Sequence, residues 1–365
     1  GGGLIELRDG SPPAVTGAGA SASLFGGSGA DSIDIFNATV AVAGTVTLDA
    51  GDGDDEVTLT NATVADTVTS SATIGGGSGA DLIEFLTSAV ARRGVATVDG
   101  GSGSDTLSFT NSTVAVSANA SILGGAGADT LNLTSVTAAV NNEVVIDLGA
   151  DDDRASIVDS TIADSVTASA TILGGSGLDQ LVFDTTILGK QGNVTLDTGA
   201  QADSVRFLDA SRVAVSGTAS LRGGAGGDTL DLNASTLAVN GQALVDLGSD
   251  NDTLVLVDST GAQSATASAT ILGSLGNDTL SSNNAIVAQA GTVLIDQGEG
   301  DNVMAFSGFS RIADGSDSTA TLLSGSGQDF LDREGSVLAN GGRAVVDLGA
   351  GAARIRSFGT TVAGQ

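Results

Sequence analysis

The feature that most constrains this chain is a glycine-rich corner that delivers one aspartate and then runs into an alternating apolar segment. Its first full copy is Gly26-Gly27-Ser28-Gly29-Ala30-Asp31-Ser32-Ile33. The aspartate returns as Asp55, Asp81, Asp105, Asp129, Asp153, Asp179, Asp203, Asp228, Asp252, Asp278 and Asp329, while Asn302 and Ala353 hold the two remaining positions. Successive positions lie 24 to 27 residues apart. Self-similarity at such a period means stacked units, each able to bury its apolar face only against its neighbours.

Inside one period the pattern is that of short strands. In residues 224–248, Leu230 and Leu232 alternate with Asp231, Leu237 and Val239 flank Ala238, Asn240-Gly241 turns the chain, and Ala243 and Val245 lead to Asp246. Apolar residues at every second position, bounded by Gly and Asn, read as half-buried strands, and no stripe of helical period competes. Asn37, Asn61, Asn111, Asp159, Asp209 and Asp258 each follow a corner aspartate by six residues. Asn and Asp tolerate left-handed backbone and bond locally, so this column reads as a bend ladder. The Asn37-Ala38-Thr39 sequon it creates is a by-product of the repeat.

Two kinds of unit alternate. One ends its last strand in an acid, and the other ends in segments such as Ala72-Thr73-Ile74 or Ala269-Thr270-Ile271-Leu272 and runs straight into the next corner. The expected fold is therefore all-β: a right-handed parallel β-helix, or β-solenoid, of about 14 coils of 24–27 residues. Coils spaced about 4.8 Å apart would stack into a rod roughly 65–70 Å long. The strict alternation keeps open a flatter solenoid of 7 coils of about 50 residues. Residues 1–25 read as an incomplete first coil in which Pro12-Pro13 suits an edge or cap. Residues 26–349 form the array, and 350–365 an incomplete last coil whose open edge invites end-to-end association or the rest of a longer array.

The charge is −30, from 43 Asp and Glu against 13 Lys and Arg. Phosphate recognition needs a basic surface, so nucleic acid and anionic membranes are poor partners. No stretch is apolar enough to span a bilayer as a helix, so direct membrane insertion is not expected. Without Cys there is no disulfide framework. A chain opening on Gly1-Gly2-Gly3 says nothing about a leader removed in processing.

Stacking places each corner carboxylate over its copy. At about 5 Å two such charges repel by roughly 1 kcal/mol in water, and by three or four times that at an effective dielectric of about 20. Calcium, with six to eight oxygens in flexible geometry, is the natural remedy. A second acid column strengthens the expectation: Asp49, Asp99, Asp147, Asp197, Asp246, Asp296 and Asp347 each stand six residues before a corner position. The loops Asp49-Ala50-Gly51-Asp52-Gly53-Asp54-Asp55 and Asp147-Leu148-Gly149-Ala150-Asp151-Asp152-Asp153 then carry acids at both ends and are the expected richest sites. The candidate ligands are the corner aspartates, the six acids from Asp49 to Asp296, and Asp52, Asp54 and Asp151. The other reading of the corners is purely structural, with Asp capping backbone N–H groups.

The corners at 26–33, 76–83 (Gly76-Gly77-Ser78-Gly79-Ala80-Asp81-Leu82-Ile83) and 124–131 (Gly124-Gly125-Ala126-Gly127-Ala128-Asp129-Thr130-Leu131) resemble the glycine-rich nonapeptide of repeats-in-toxin (RTX) proteins. That resemblance implies secretion, calcium-dependent folding, and service in toxins, adhesins or S-layers. About 16 residues separate the motifs here, whereas RTX nonapeptides adjoin, so the period lies nearer parallel β-helices and bacterial surface proteins of β-strand repeats.

Catalysis finds little support. Sugar sites use aromatic platforms and a base poised near neutrality, and the chain has no Trp, Tyr or His. Acid pairs recur at every second corner, whereas an active site is a singular feature. Asp197-Thr198-Gly199 imitates an aspartic-protease triplet but occupies the same column as Asp147-Leu148-Gly149. An ice-binding array is broken by Val and Ala where Thr45 and Thr47 would repeat. The expected function is a structural, extracellular, calcium-binding segment or subunit of a surface fibre, S-layer or adhesin. A polysaccharide-active enzyme is the alternative.

Overall fold

The computed structural model describes residues 3–7 and 20–364, so Pro12-Pro13 lies outside the described residues. The chain is a β-solenoid of about 14 turns of about 24 residues, with parallel sheets and no helix among the described residues. The 50-residue coil is thereby ruled out: each 24–27-residue unit closes one turn. No helix is long and apolar enough to cross a membrane.

Each turn visits three faces. A five-residue strand follows the corner, as in Thr106–Thr110; a two- or three-residue strand follows the bend, as in Thr113–Val114; and a longer strand, as in Val95–Ser102, leads into the corner. Two compact units divide the chain: Gly1–Gln180 with Gly192–Val194, and Leu181–Gln191 with Thr195–Gln365.

In the first unit the alternation seen in the sequence becomes columns of buried side chains. On the first face Val57, Ile83, Leu107 and Leu131 stack in register, as do Leu59, Phe85, Phe109 and Leu133. On the long face the columns are Ala72, Ala96, Ala120, Val144 and Ala170, and Ile74, Val98, Ile122, Ile146 and Ile172. In the second unit Leu230, Leu254, Leu280, Met304 and Leu331 form the equivalent first-face column. Parallel in-register pairing brings identical positions about 4.8 Å apart, so branched aliphatics and flat rings stack on their own kind. The Phe85 and Phe109 rings do so with centroids 4.6 Å apart and 4° between their planes.

The bend between the first two faces requires left-handed backbone in every turn. Asn37, Asn61, Asn111, Asp159, Asp209 and Asp258 have φ between 44° and 51°. Thr87 takes φ 50° at the same place, and its hydroxyl donates to Asn61 Oδ1 at 2.7 Å. A β-branched residue is costly in that conformation, so the fold over-determines the bend.

Phe109 is fully buried, so Phe109→Ala should cost the first unit about 3–5 kcal/mol in a denaturant titration. Amide exchange should rise mainly in the two turns flanking it, because turns contact only their neighbours. A loss of protection spread evenly over the unit would contradict this packing.

Candidate metal centre

The corner is built from the strand that enters it. On Val95–Ser102 the side chains alternate, so Val98 and Gly100 face inward and Asp99 faces outward, half-buried. Gly101 (φ 110°) and Gly103 (φ 125°) then reverse the chain and deliver Asp105 to the interior. Each glycine of the motif has its own reason. A Cβ on Gly101 would sit 2.1 Å from Gly77 O of the preceding turn, and one on Gly100 would meet Asp105 Oδ2 at 2.6 Å and Gly124 O at 2.5 Å. Non-glycine residues replace the positive-φ glycines at a few corners: Asp151, Gln201 and Asp250 hold the third position at φ 80°, 85° and 87°, and Ser274 the second at φ 74°.

The corner aspartates therefore point inward. All twelve are 1–5% exposed. Within the first unit the backbone N–H of Asp31 donates to Asp55 Oδ1 (2.6 Å), Asp55 to Asp81 (2.8 Å), Asp81 to Asp105 (2.8 Å), Asp105 to Asp129 (2.8 Å), Asp129 to Asp153 (2.7 Å) and Asp153 to Asp179 (2.9 Å). The second unit repeats the ladder from Asp203 to Asp228 (2.8 Å), Asp228 to Asp252 (2.8 Å), Asp252 to Asp278 (2.9 Å), Asp278 to Asn302 (2.8 Å) and Asn302 to Asp329 (3.0 Å). Oδ1 is thus committed to a backbone donor that would otherwise be buried unpaired. Oδ2 of each aspartate is buried and makes no hydrogen bond to a protein donor.

Burial pushes eight of these carboxyl groups above the usual range, against the lowering effect of the bonded N–H. Asp81, Asp129 and Asp228 rise to about 6, Asp153 to about 7 and Asp252 to about 8, with neighbouring carboxylates adding to the effect. Burial raises Asp105, Asp179 and Asp278 as well.

The other candidate ligands lie elsewhere. Asp49, Asp99, Asp147, Asp197, Asp246 and Asp296 are half-buried on the outside of the long face, and Asp347 is exposed. They do not stack on one another. Gly75 separates Asp49 from Asp99, Leu123 separates Asp99 from Asp147, and Leu272 separates Asp246 from Asp296. Asp52, Asp54, Asp151 and Asp152 are exposed at the loop tips. There Asp52 Oδ1 accepts from Ser78 Oγ at 2.8 Å, Asp54 Oδ1 from Ala80 N at 2.9 Å, and Asp152 Oδ1 from Leu178 N at 2.8 Å.

The loops expected to be richest in ligands therefore split their acids between the inside and the outside of one strand. Among the described residues, no group of three or more Asp or Glu comes together to hold a metal ion. Calcium asks for six to eight converging oxygens, and the corner brings one spare carboxyl oxygen beside one main-chain carbonyl, far short of that number. This donor set does not fit calcium.

Two further ladders run beside the corner column, one of serines and one at the exposed tip that also includes Asp54, Asp152 and Asp301. Ser88, Ser112, Ser160, Ser211, Ser259 and Ser310 accept from the preceding turn's backbone through Oγ at 3.0–3.3 Å. At the exposed tip Asn277 N donates to Asn251 Oδ1, and Asp301 N to Asn277 Oδ1, both at 2.7 Å. The sequence signal for the first is a recurrent small hydroxyl seven or eight residues after the corner.

Removing one rung should expose the role directly. Asp129→Ala leaves the Asp105 N–H buried without its acceptor, at a cost of about 1–3 kcal/mol in urea unfolding. The Asp105 amide should also exchange faster, and an unchanged midpoint together with unchanged exchange would contradict the ladder. No protein-family model matches the chain, and comparisons with curated proteins and with solved structures find no match either.

Proposed function

We propose that the chain is a structural module: a segment or subunit of an extracellular surface fibre, S-layer or adhesin, with no catalytic role. The observation that carries this reading is the uniformity of the columns. Among the described residues the inward aspartate and the inward aliphatics recur with few substitutions, such as Asn302, Ser282 and Arg333, and no group of three or more acidic side chains gathers at one place. Two interior cavities lined by corner aspartates in the second unit measure about 20 Å³ and about 10 Å³, room for one water and not for a substrate. A regular ladder of backbone-capping side chains gives stiffness along the stack, the property a fibre or lattice element needs. The RTX-like glycine corners support secretion in the same sense, as a likeness of motif.

Calcium enters this proposal as a counter-ion to the outward acids. A chain of charge −30 repels itself, and divalent cations near Asp49, Asp99 and the exposed loop tips relieve that repulsion without a closed cage.

Far-UV circular dichroism and thermal melts in chelator and in calcium test the metal part. The expected result is the same β signature in both, with a small rise in Tm that magnesium reproduces. Unfolding in chelator, reversed by calcium alone, would overturn it. Antibody labelling of intact, unpermeabilised source cells tests the surface role, and signal only after permeabilisation would contradict it.

A further inference from the structure

Column position 302 is the one interior rung that is not an acid. There Asn302 Oδ1 accepts from Asp278 N at 2.8 Å, and Asn302 N donates to Asp329 Oδ1 at 3.0 Å, as at every other rung. Its Nδ2 donates to Ser324 O at 3.0 Å and to Gly298 O at 3.3 Å. Ser324 stands five residues before the next corner position. Asn and Asp share one shape, so Nδ2 of Asn302 marks where Oδ2 lies in the other turns.

In those turns Oδ2 converges on the same kind of carbonyl. From the point where a Cβ on Gly223 would sit, Asp228 Oδ2 and Leu247 O are each 2.3 Å away. At Gly273 the pair is Asp278 Oδ2 at 2.3 Å and Gln297 O at 2.8 Å, and at Gly76 it is Asp81 Oδ2 and Gly100 O, both at 2.5 Å. Leu247 and Gln297 each precede the next corner position by five, as does Gly100. Two acceptors lie near one another in the interior and Oδ2 has no protein donor, and a buried polar group left unpaired is costly.

We propose that the corner column is a ladder of neutral carboxylic acids, in which Oδ2 carries a proton donated to the main-chain carbonyl five residues before the next corner position. The proton does at each aspartate what the amide does at Asn302. This reading stands whether or not the protein works at a cell surface, and it replaces calcium at the corners. Stacked charges need no ion to neutralise them when they are not charged.

The surroundings favour the neutral form. Around Asp228 the facing charged groups are the carboxylates Asp203, Asp250 and Asp252, and Arg222, which lines the same small cavity but whose side chain is exposed. Around Asp278 they are Asp252 on one side and the uncharged Asn302 and Gln297 on the other. The Gln297 amide Nε2 is turned to Asp278 O and Val303 O, away from donating to Oδ2.

The folded values lie above the ordinary 3.8: burial and then Asp250 place Asp228 at about 6, and burial and neighbouring carboxylates place Asp252 at about 8. A carboxyl group raised on folding stabilises the fold fully below its unfolded value and loses that contribution as pH rises through its folded value. These two contributions are therefore whole below about 3.8 and fade as pH rises, that of Asp228 being gone above about pH 6 and that of Asp252 above about pH 8.

The test uses the full chain labelled with ¹³C at Asp Cγ, titrated from about pH 4 to about pH 9 in calcium buffer. Asp228→Asn and Asp278→Asn assign two resonances by their disappearance. The expected result is that both resonances keep their acid-form positions well above the ordinary carboxyl value, the Asp228 resonance moving at about pH 6. Titration of both at the ordinary carboxyl value of about 4 overturns the proposal. Thermal melts give a second reading. Wild type should melt lower at about pH 8.5 than at about pH 5, and Asp278→Asn should narrow that gap. A wild type that gains stability with pH, or an unnarrowed gap in a folded Asp278→Asn, overturns it.

Discussion

The backbone N–H of one corner residue bonded to the carboxyl oxygen of the next is the contact on which this fold rests. A parallel solenoid satisfies its strands by pairing each turn with its neighbours, but the corners between strands are left with buried N–H groups. Here a side chain from the following turn supplies the missing acceptor at 2.6–3.0 Å, on the inside of the stack. Because the acceptor comes from the next turn, the bond also fixes register. A slip of one residue would move every aspartate to the outer face and every N–H into an apolar wall.

The two acid columns show how differently the same side chain behaves on the two sides of a strand. The outward acids recur in every second turn, so neighbours stand about 9.6 Å apart and repel by only about 0.4 kcal/mol in water. Gly75, Leu123 and Leu272 fill the places between them. The inward acids recur in every turn at half that distance and away from water, where spacing and screening cannot help. Hydrogen bonding and protonation are the remaining remedies. The alternation of two kinds of unit, which suggests a 50-residue coil in the sequence, is thus a two-turn pattern of packing. Position five before the corner holds Gly26, Gly76 or Gly223 in one set and buried Ala50, Leu148 or Leu247 in the other.

Much of this is legible in the sequence. Period gives the turn, alternation gives the inward columns, and the glycine positions give the reversals. The direction of the corner aspartate is legible too, by parity. Asp31, Ile33 and Ile35 share one face, as do Asp105, Leu107 and Phe109, whereas Asp49 alternates with the inward Leu48 and Ala50. The calcium expectation rests on the stacking of like charges, which parity alone leaves in place; it is the partners of each oxygen that bear on it. What parity does not supply is the partner of each oxygen. The Oδ1 bond depends on how the corner backbone is turned, and the Oδ2 environment depends on a carbonyl one turn away. The serine ladder is harder still to read, since a small hydroxyl seven or eight residues after the corner looks like an ordinary turn residue until its neighbour's N–H is located.

The central claim is that the inner carboxyl groups bond the next turn's backbone as neutral acids and hold no metal. An atomic-resolution crystal structure, grown near neutral pH with calcium present, tests it most directly. The account predicts unequal C–O bond lengths at Asp252, longer at Oδ2, with no ion beside that oxygen. Equal bond lengths with a calcium ion seated on the corner carboxylates would contradict it.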